Sequence, residues 1–349
     1  MLRIGINGFG RIGRAIFRSN LESQSFKVVA INDINPDIGN LTYTLNYDSL
    51  YDRLPELFKF EKEKKFIYDS NHNIKIFHQK HIDEVDWKSQ EVDYVIDASG
   101  ILDNVIRSRN LIETFQAKRV IVTHSPNLGV DFTMVLGANH DEFNHQIHKV
   151  IASSICDATA IAPVMKLAYN HFGIDKAYVT TLHPWLNYQN LMDGPASSWS
   201  VPGDIHHHYA LGRSSIGNMI PKPTSAIQAT CKVVKGLSED FIGSFSFRTP
   251  TAIVGCADIT LITKSSVTKR DILSLYEEYA NSQQWDIIDN NWQPLVSLDF
   301  KKSAFSATID HRFTEVVGNN MVKLVLWYDN EWGYSTRVVD QIKFIESKI

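Results

Sequence analysis

The stretch Gly8-Phe9-Gly10-Arg11-Ile12-Gly13 constrains this chain more than any other. It follows Arg3 to Asn7, a short apolar run that reads as a buried strand, and it opens a helical pattern reaching about Leu21. Glycines so spaced after a strand make a tight turn at Gly8, let a pyrophosphate approach the backbone at Gly10, and let helix pack on strand at Gly13. The helix N-terminus then offers unpaired N–H groups to the pyrophosphate. A second strand, Phe26 to Asp33, ends in a carboxylate 20 residues after Gly13. Asp33 is placed to accept hydrogen bonds from an adenosine ribose and to repel a 2′-phosphate, so the pattern favours NAD over NADP. A structural turn beside an incidental surface Asp would explain the glycines alone, but not strand, helix and acid together.

The pattern continues in kind. Ile38 to Tyr47 reads as helical, and Phe58 to His78 as short antiparallel strands around Asn71-His72-Asn73. Then come a strand over Val92 to Asp97, a helix over about Asn104 to Phe115, and a strand over Arg119 to Thr123. Such alternation implies a parallel sheet with helices on both faces, and it puts Ser99 and Gly100 at a strand C-terminus, where open sheets bind ligands. Beyond residue 156 the texture changes. Lys176 to His183, Ile253 to Lys264 and Val322 to Tyr328 read as strands, Ser225 to Gly236 and Trp332 to Ser347 as helices, and Asp193 to Gly212 as irregular. The expected fold is α/β: a Rossmann doubly wound parallel-sheet domain that binds NAD, plus an α+β domain with a mostly antiparallel sheet.

A length of 349 residues suits two such domains. With 44% hydrophobic and 21% charged residues the chain is of soluble globular type, and its net charge of -4 offers no case for nucleic acid or an anionic membrane. Phosphorylated small molecules stay open, because they need only a local cluster of donors. The three cysteines, Cys156, Cys231 and Cys256, are an odd number that argues for a reducing compartment. The first residues run straight into a strand with no basic leader or apolar signal core, and no window is long enough to span a bilayer. A cytoplasmic location is expected.

Cys156 sits in Ala152-Ser153-Ser154-Ile155-Cys156-Asp157-Ala158-Thr159-Ala160-Ile161-Ala162-Pro163, between a pair of serines and an apolar run that starts a helix. A thiol at a helix N-terminus can ionise near neutral pH and act as a nucleophile. A free cysteine can equally be one more small buried residue, and this window alone does not choose between them.

Taken together, these residues resemble the glyceraldehyde-3-phosphate dehydrogenase family over essentially the whole chain. The resemblance rests on Ile6 to Arg14, Ala30 to Asp33, Ser153 to Pro163, Thr180-Thr181-Leu182-His183, Asp193-Gly194-Pro195, Arg213 to Pro221, Phe247 to Thr251 and Trp327 to Ser335. It implies an NAD-binding domain over residues 1–155, with a C-terminal helix at about 333–349 packing back on it, and a catalytic domain over 156–332. It implies that Cys156 attacks an aldehyde, that His183 accepts the hemithioacetal proton, and that a thioester is left for an acyl acceptor. Arg11, Ile12, Asp33 and Ser99 would line the dinucleotide beside Gly8, Gly10, Gly13 and Gly100, with Asn330 on the nicotinamide carboxamide and Tyr334 in the same set. Arg213, Thr224, Ser225 and Arg248 would hold the substrate. A homotetramer is the family expectation.

The chain also departs from that pattern. Asp157 stands where most members have a Thr that helps bind attacking phosphate, and Ala158 and Thr159 differ as well. Leu186 and Tyr188 replace a usual Thr and Asp, Ser225 replaces a Gly, and Lys222 adds a cation. A carboxylate at Asp157 would repel phosphate and raise the thiol pKa. The stretch from Asp193 to Arg213 is longer than the family loop by roughly nine residues and carries Pro202-Gly203 and His206-His207-His208. Neighbouring His side chains in extended chain point to opposite faces and lack further ligands at suitable spacing, so no metal is expected.

The leading expectation is NAD-dependent oxidation of an aldehyde, glyceraldehyde 3-phosphate first, with acyl transfer to phosphate. The alternatives are a related aldehyde such as erythrose 4-phosphate, release of the acyl group to water, or an NAD-binding scaffold with little turnover.

Overall fold

The computed structural model describes residues 1–196 and 209–349. Those residues form two compact units: Met1–Thr133, Phe143–Ser153 and Val338–Ile349 make the first, and Met134–Glu142 with Ser154–Arg337 the second. The His206–His208 run and Pro202-Gly203 lie outside the described residues.

The first unit is built on a nine-stranded sheet. Its order is Phe132–Thr133, Val150–Ala152, Arg119–Val122, Tyr94–Asp97, Arg3–Asn7, Lys27–Asn32, Asn73–Phe77, Phe66–Tyr68 and Lys59–Glu61. Pairing is parallel as far as Asn73–Phe77, and the last two strands join antiparallel. In Tyr94–Asp97 and Arg119–Val122 every residue is buried, rather than every second one, which is the mark of a sheet covered on both faces. Val29, Val95, Val120 and Val150 pack with Leu111 and the fully buried Trp87, whose indole N–H donates to the Ile82 carbonyl (2.8 Å). The two strands at residues 132–133 and 150–152 escape a sequence reading because they are too short to show a period.

Strand order reverses direction of growth between Arg3–Asn7 and Tyr94–Asp97, and the ends of these two strands carry Gly8 and Ser99. That is the switch point at which open parallel sheets take their ligands.

The second unit holds an eight-stranded sheet of order Ile220–Lys222, Ile242–Thr249, Ile174–Pro184, Gly255–Thr263, Met321–Tyr328, Ala307–Asp310 and Ile288–Asn291, with Glu315–Val317 also on Met321–Tyr328. Met321–Tyr328 alternates buried and half-buried residues, as a strand with a single core face should. The sheet is mostly antiparallel, but Ile174–Pro184 pairs in parallel with Ile242–Thr249, and Ile288–Asn291 with Ala307–Asp310. The parallel pairing with Ile242–Thr249 sets His183 directly beside Arg248. The helix Cys156–Phe172 is buried through Ala158, Ala160, Ile161, Ala162, Val164 and Met165, so its first turns have little contact with water. The helix Lys269–Ser282 has no counterpart in the sequence reading, although Thr268 and Asp271 cap it reciprocally. No helix among the described residues is long and apolar enough to cross a membrane.

Candidate active site

In the first unit the glycine turn has the shape its spacing predicts. Gly8 adopts φ +89°, and a Cβ there would lie 2.7 Å from the Ser99 backbone. At Gly13 a Cβ would meet the Gly8 carbonyl oxygen at 2.2 Å, which is why helix Arg11–Ser23 can leave the strand so closely. Beside Gly10 a Cβ would meet nothing within 4 Å, so the backbone there is open to a pyrophosphate. Asp33 accepts from the Phe9 N–H (2.7 Å) and the Asn35 N–H (2.9 Å), which ties its carboxylate to the turn. Arg11 is paired with Asp48 (2.7 Å), while Ile12 stays half-buried on the first helical turn.

A network that the sequence reading missed underlies this turn. Asn32 Nδ2 donates to Asn7 Oδ1 (2.8 Å), Asn7 Nδ2 to Asp97 Oδ1 (2.9 Å), and Ser99 Oγ to the same Asp97 oxygen (2.7 Å). Three adjacent strand ends are tied by it, with Gly100 following at φ +68°. Each of Asn7, Asn32 and Asp97 closes a strand with a polar residue, and that is the signal from which the network could have been read.

In the second unit Cys156 is the first residue of its helix, after Ser154 at φ +61°. The Ser154 carbonyl accepts from the Tyr334 hydroxyl (3.2 Å), so Tyr334 supports the bend that aims the thiol. Cys156 Sγ lies 3.5 Å from His183 Nε2 and 3.9 Å from Asp157 Oδ1. His183 Nδ1 lies 2.8 Å from the Pro184 carbonyl, an acceptor, which assigns the ring proton to Nδ1 and leaves the Nε2 lone pair facing sulfur. Burial first, then Arg248, hold the imidazole pKa down to about 4, so it is neutral at physiological pH. The thiol keeps some accessible surface, yet burial and, next, the Asp157 carboxylate push its pKa well above the usual value. Arg248 and the N–H groups of Asp157 and Cys156 oppose that rise without cancelling it.

Asp157 is buried, and its Oδ1 accepts from the Tyr328 hydroxyl (2.7 Å). Tyr328 is pushed well above its ordinary pKa by burial and by Asp157, so it stays a donor. Arg248 is buried with Nη2 3.3 Å from the Tyr188 hydroxyl, and its Nε has no hydrogen-bond partner. Lys222, on the neighbouring strand, is lowered to about 8 by burial and then by Arg248. A buried guanidinium with an unused donor beside a second cation is organised for an anion. The ligand atoms of Cys156, Asp157 and His183 fall within 4.8 Å of one another, but those two cations favour an anionic occupant over a metal ion.

The other expected contacts are less concentrated. Arg213 is exposed and pairs with Asp193 (2.8 Å). Thr224 Oγ1 accepts from the Ala226 N–H (3.2 Å) at the start of helix Ala226–Val233, and Ser225 is its exposed cap residue. Asn330 is buried with its Oδ1 unpartnered, an acceptor suited to a carboxamide N–H.

Three imidazoles, two buried and one half-buried, make acid stability testable. His124, His183 and His311 are each held down to about 4, burial being the foremost cause, against 6.5 for the free side chain. Between those values the unfolded chain binds protons that the native chain refuses, so stability is intact above about pH 6.5 and falls as pH drops towards 4. Asp97 and Asp289, both raised by burial, work in the opposite direction, but they titrate in the range of carboxylates and number two against three imidazoles. Unfolding free energy is expected to be flat above pH 7 and to fall by on the order of a few kcal/mol between pH 6.5 and 4, with the melting temperature falling alongside. A flat profile down to pH 5 in scanning calorimetry would refute this.

Comparison with known proteins agrees with the geometry. The NAD binding domain of glyceraldehyde 3-phosphate dehydrogenase matches residues 2–105, and the C-terminal domain of the same enzyme matches residues 155–330. The chain is 33% identical over 347 residues to the glyceraldehyde-3-phosphate dehydrogenase of Priestia megaterium, covering 99% of both. It is 31% identical over 352 residues to glyceraldehyde-3-phosphate dehydrogenase 2 of Bacillus subtilis, covering 100% of this chain and 98% of that one. The cytosolic enzyme of Chlamydomonas reinhardtii is 32% identical over 348 residues, 99% of this chain and 97% of its own. An open glycine turn with its acid, a cysteine facing a neutral histidine, and two matching domains lead to one conclusion: the chain is an NAD-dependent oxidoreductase that belongs to the glyceraldehyde-3-phosphate dehydrogenase family.

Proposed function

We propose that this enzyme oxidises a small phosphorylated aldehyde, glyceraldehyde 3-phosphate foremost, through a thioester on Cys156. The observation that carries the reading is the 3.5 Å approach of Cys156 Sγ to the free lone pair of His183 Nε2. His183, neutral above about pH 4, takes the proton as sulfur adds to the aldehyde carbon. Bound NAD supplies the hydride acceptor. Gly8, Gly10, Gly13 and Asp33 would hold its adenosine and pyrophosphate, Ser99 and Gly100 stand at the strand end beside the turn, and Asn330 would take its carboxamide.

Arg248 and Lys222 support a phosphorylated substrate. Replacing Arg248 with Leu is expected to raise KM for glyceraldehyde 3-phosphate at least ten times more than for plain glyceraldehyde, since its effect on Cys156 and His183 falls on both aldehydes alike. Equal losses on both aldehydes in a steady-state NADH assay would remove the phosphate assignment. No NADH from any phosphorylated or plain aldehyde would instead leave an NAD-binding scaffold.

Transfer of the acyl group to phosphate is the outcome expected of the family, and the Asp157 carboxylate, 3.9 Å from sulfur, opposes it by like charge. The same observation favours water as a second outcome. A homotetramer acting in the cytoplasm belongs to this reading, and the cytosolic relative of Chlamydomonas reinhardtii supports the compartment alone.

A further inference from the structure

We propose that Asp157 is the general base that hands the acyl group of Cys156 to water, so that the reaction ends in a carboxylate. This assignment rests on the acyl-enzyme reading above.

Asp157 follows the nucleophile directly, so its carboxylate is fixed beside sulfur by the first helical turn. Oδ1 is 3.9 Å from Sγ, at the outer reach of a thiol hydrogen bond. In the resting enzyme the single S–H proton has two acceptors in reach, that oxygen and His183 Nε2. Once sulfur carries an acyl group it has no proton to donate, and Oδ1 keeps one lone pair open beside the bond from Tyr328. The acyl carbon is then one covalent bond from sulfur, within one water of the carboxylate. A base within hydrogen-bond reach of such a water is the geometry that general-base attack needs.

The surroundings of Asp157 supply a donor and a cation. Tyr328 donates to Oδ1 at 2.7 Å, an interaction made best by the carboxylate anion. Lys222 is in electrostatic contact with this carboxylate, and Arg248 lies on the strand next to that of Lys222. His183 is neutral, but its Nε2 faces the sulfur that the acyl group now occupies.

The step balances without a redox partner. Water oxygen forms a bond to the thioester carbon as Asp157 takes one of its protons. The tetrahedral adduct collapses with cleavage of the C–S bond, and the electron pair leaves on sulfur. The thiolate recovers a proton from Asp157, and the carboxylic acid departs and ionises. An inorganic phosphate dianion in the same place would bring its charge against Asp157.

Two assays decide the assignment. In the first, p-nitrophenyl acetate acylates the cysteine directly, independently of NAD and of the aldehyde. Wild type and Asp157→Asn are expected to release a similar burst of p-nitrophenolate, after which turnover of the variant falls by at least about 100-fold. Cys156→Ser should lose the burst. Turnover of Asp157→Asn equal to wild type overturns the proposal. So does loss of its burst with NAD binding intact, since Asp157 would then act before the thioester.

In the second assay wild type oxidises glyceraldehyde 3-phosphate in water enriched in heavy oxygen, with and without phosphate. The product carboxylate should carry one solvent oxygen at a rate indifferent to phosphate, and acyl phosphate seen by phosphorus NMR overturns the proposal. If no aldehyde yields NADH, the oxidation reading has failed, while the ester assay still decides the role of Asp157.

Discussion

Cys156→Ser is expected to abolish NADH formation, by on the order of 10⁴-fold or more, with NAD affinity unchanged. A serine hydroxyl beside His183 is a far weaker nucleophile than a thiolate, and it cannot leave a thioester that a later acceptor resolves. The cofactor turn at Gly8 to Gly13 and Asp33 belongs to the first unit, while Cys156 belongs to the second, so this substitution leaves the residues proposed for adenosine and pyrophosphate untouched. Titration of NAD by fluorescence quenching beside a stopped-flow record of NADH would show this. A variant that keeps a tenth of the wild-type rate would remove Cys156 as nucleophile.

His183→Asn should lower acylation by about 10²- to 10⁴-fold. It should also change the pH profile. In wild type the imidazole is neutral from about pH 4 upward, while the thiol, raised by burial and by Asp157, ionises only above its ordinary range. Deprotonation creates the reactive anion, so a raised pKa moves the limb to higher pH, and the rate climbs with pH through neutrality. Without His183 the thiol must lose its proton to solvent, and the deficit of the variant should shrink as pH rises. Alkylation of Cys156 by iodoacetamide, followed over pH 6 to about pH 10 in both proteins, reads this directly. Identical rates and profiles would deny His183 the role of base.

Legibility from the sequence follows the range of each interaction. The glycine turn, the two strands around it and Asp33 are local, and their spacing alone predicts their shape. The nucleophile could be read as a helix start because the serines and the apolar run flank it directly. Parallel pairing of Ile174–Pro184 with Ile242–Thr249 could not be read, since neither strand carries a mark of its partner. Yet that register is what brings Arg248 beside His183 and makes both buried groups part of one electrostatic site. Arg213, which the resemblance expects to hold the substrate, is exposed and pairs with Asp193, a bond that spacing in the sequence does not announce.

What the sequence determined by itself is the family, from short motifs spread along the chain, together with the cofactor turn and the helix start at Cys156, because each motif depends on residues close together in the chain. The tertiary structure decided what Asp157 is. Read in sequence it is a misplaced charge next to a nucleophile. In the fold, Tyr328, 171 residues away, closes a hydrogen bond on it, and Arg248 and Lys222 arrive from two adjacent strands. Burial makes that difference: a carboxylate held away from water persists only among partners that packing delivers, and those partners are what turn it from a repulsive neighbour into a base.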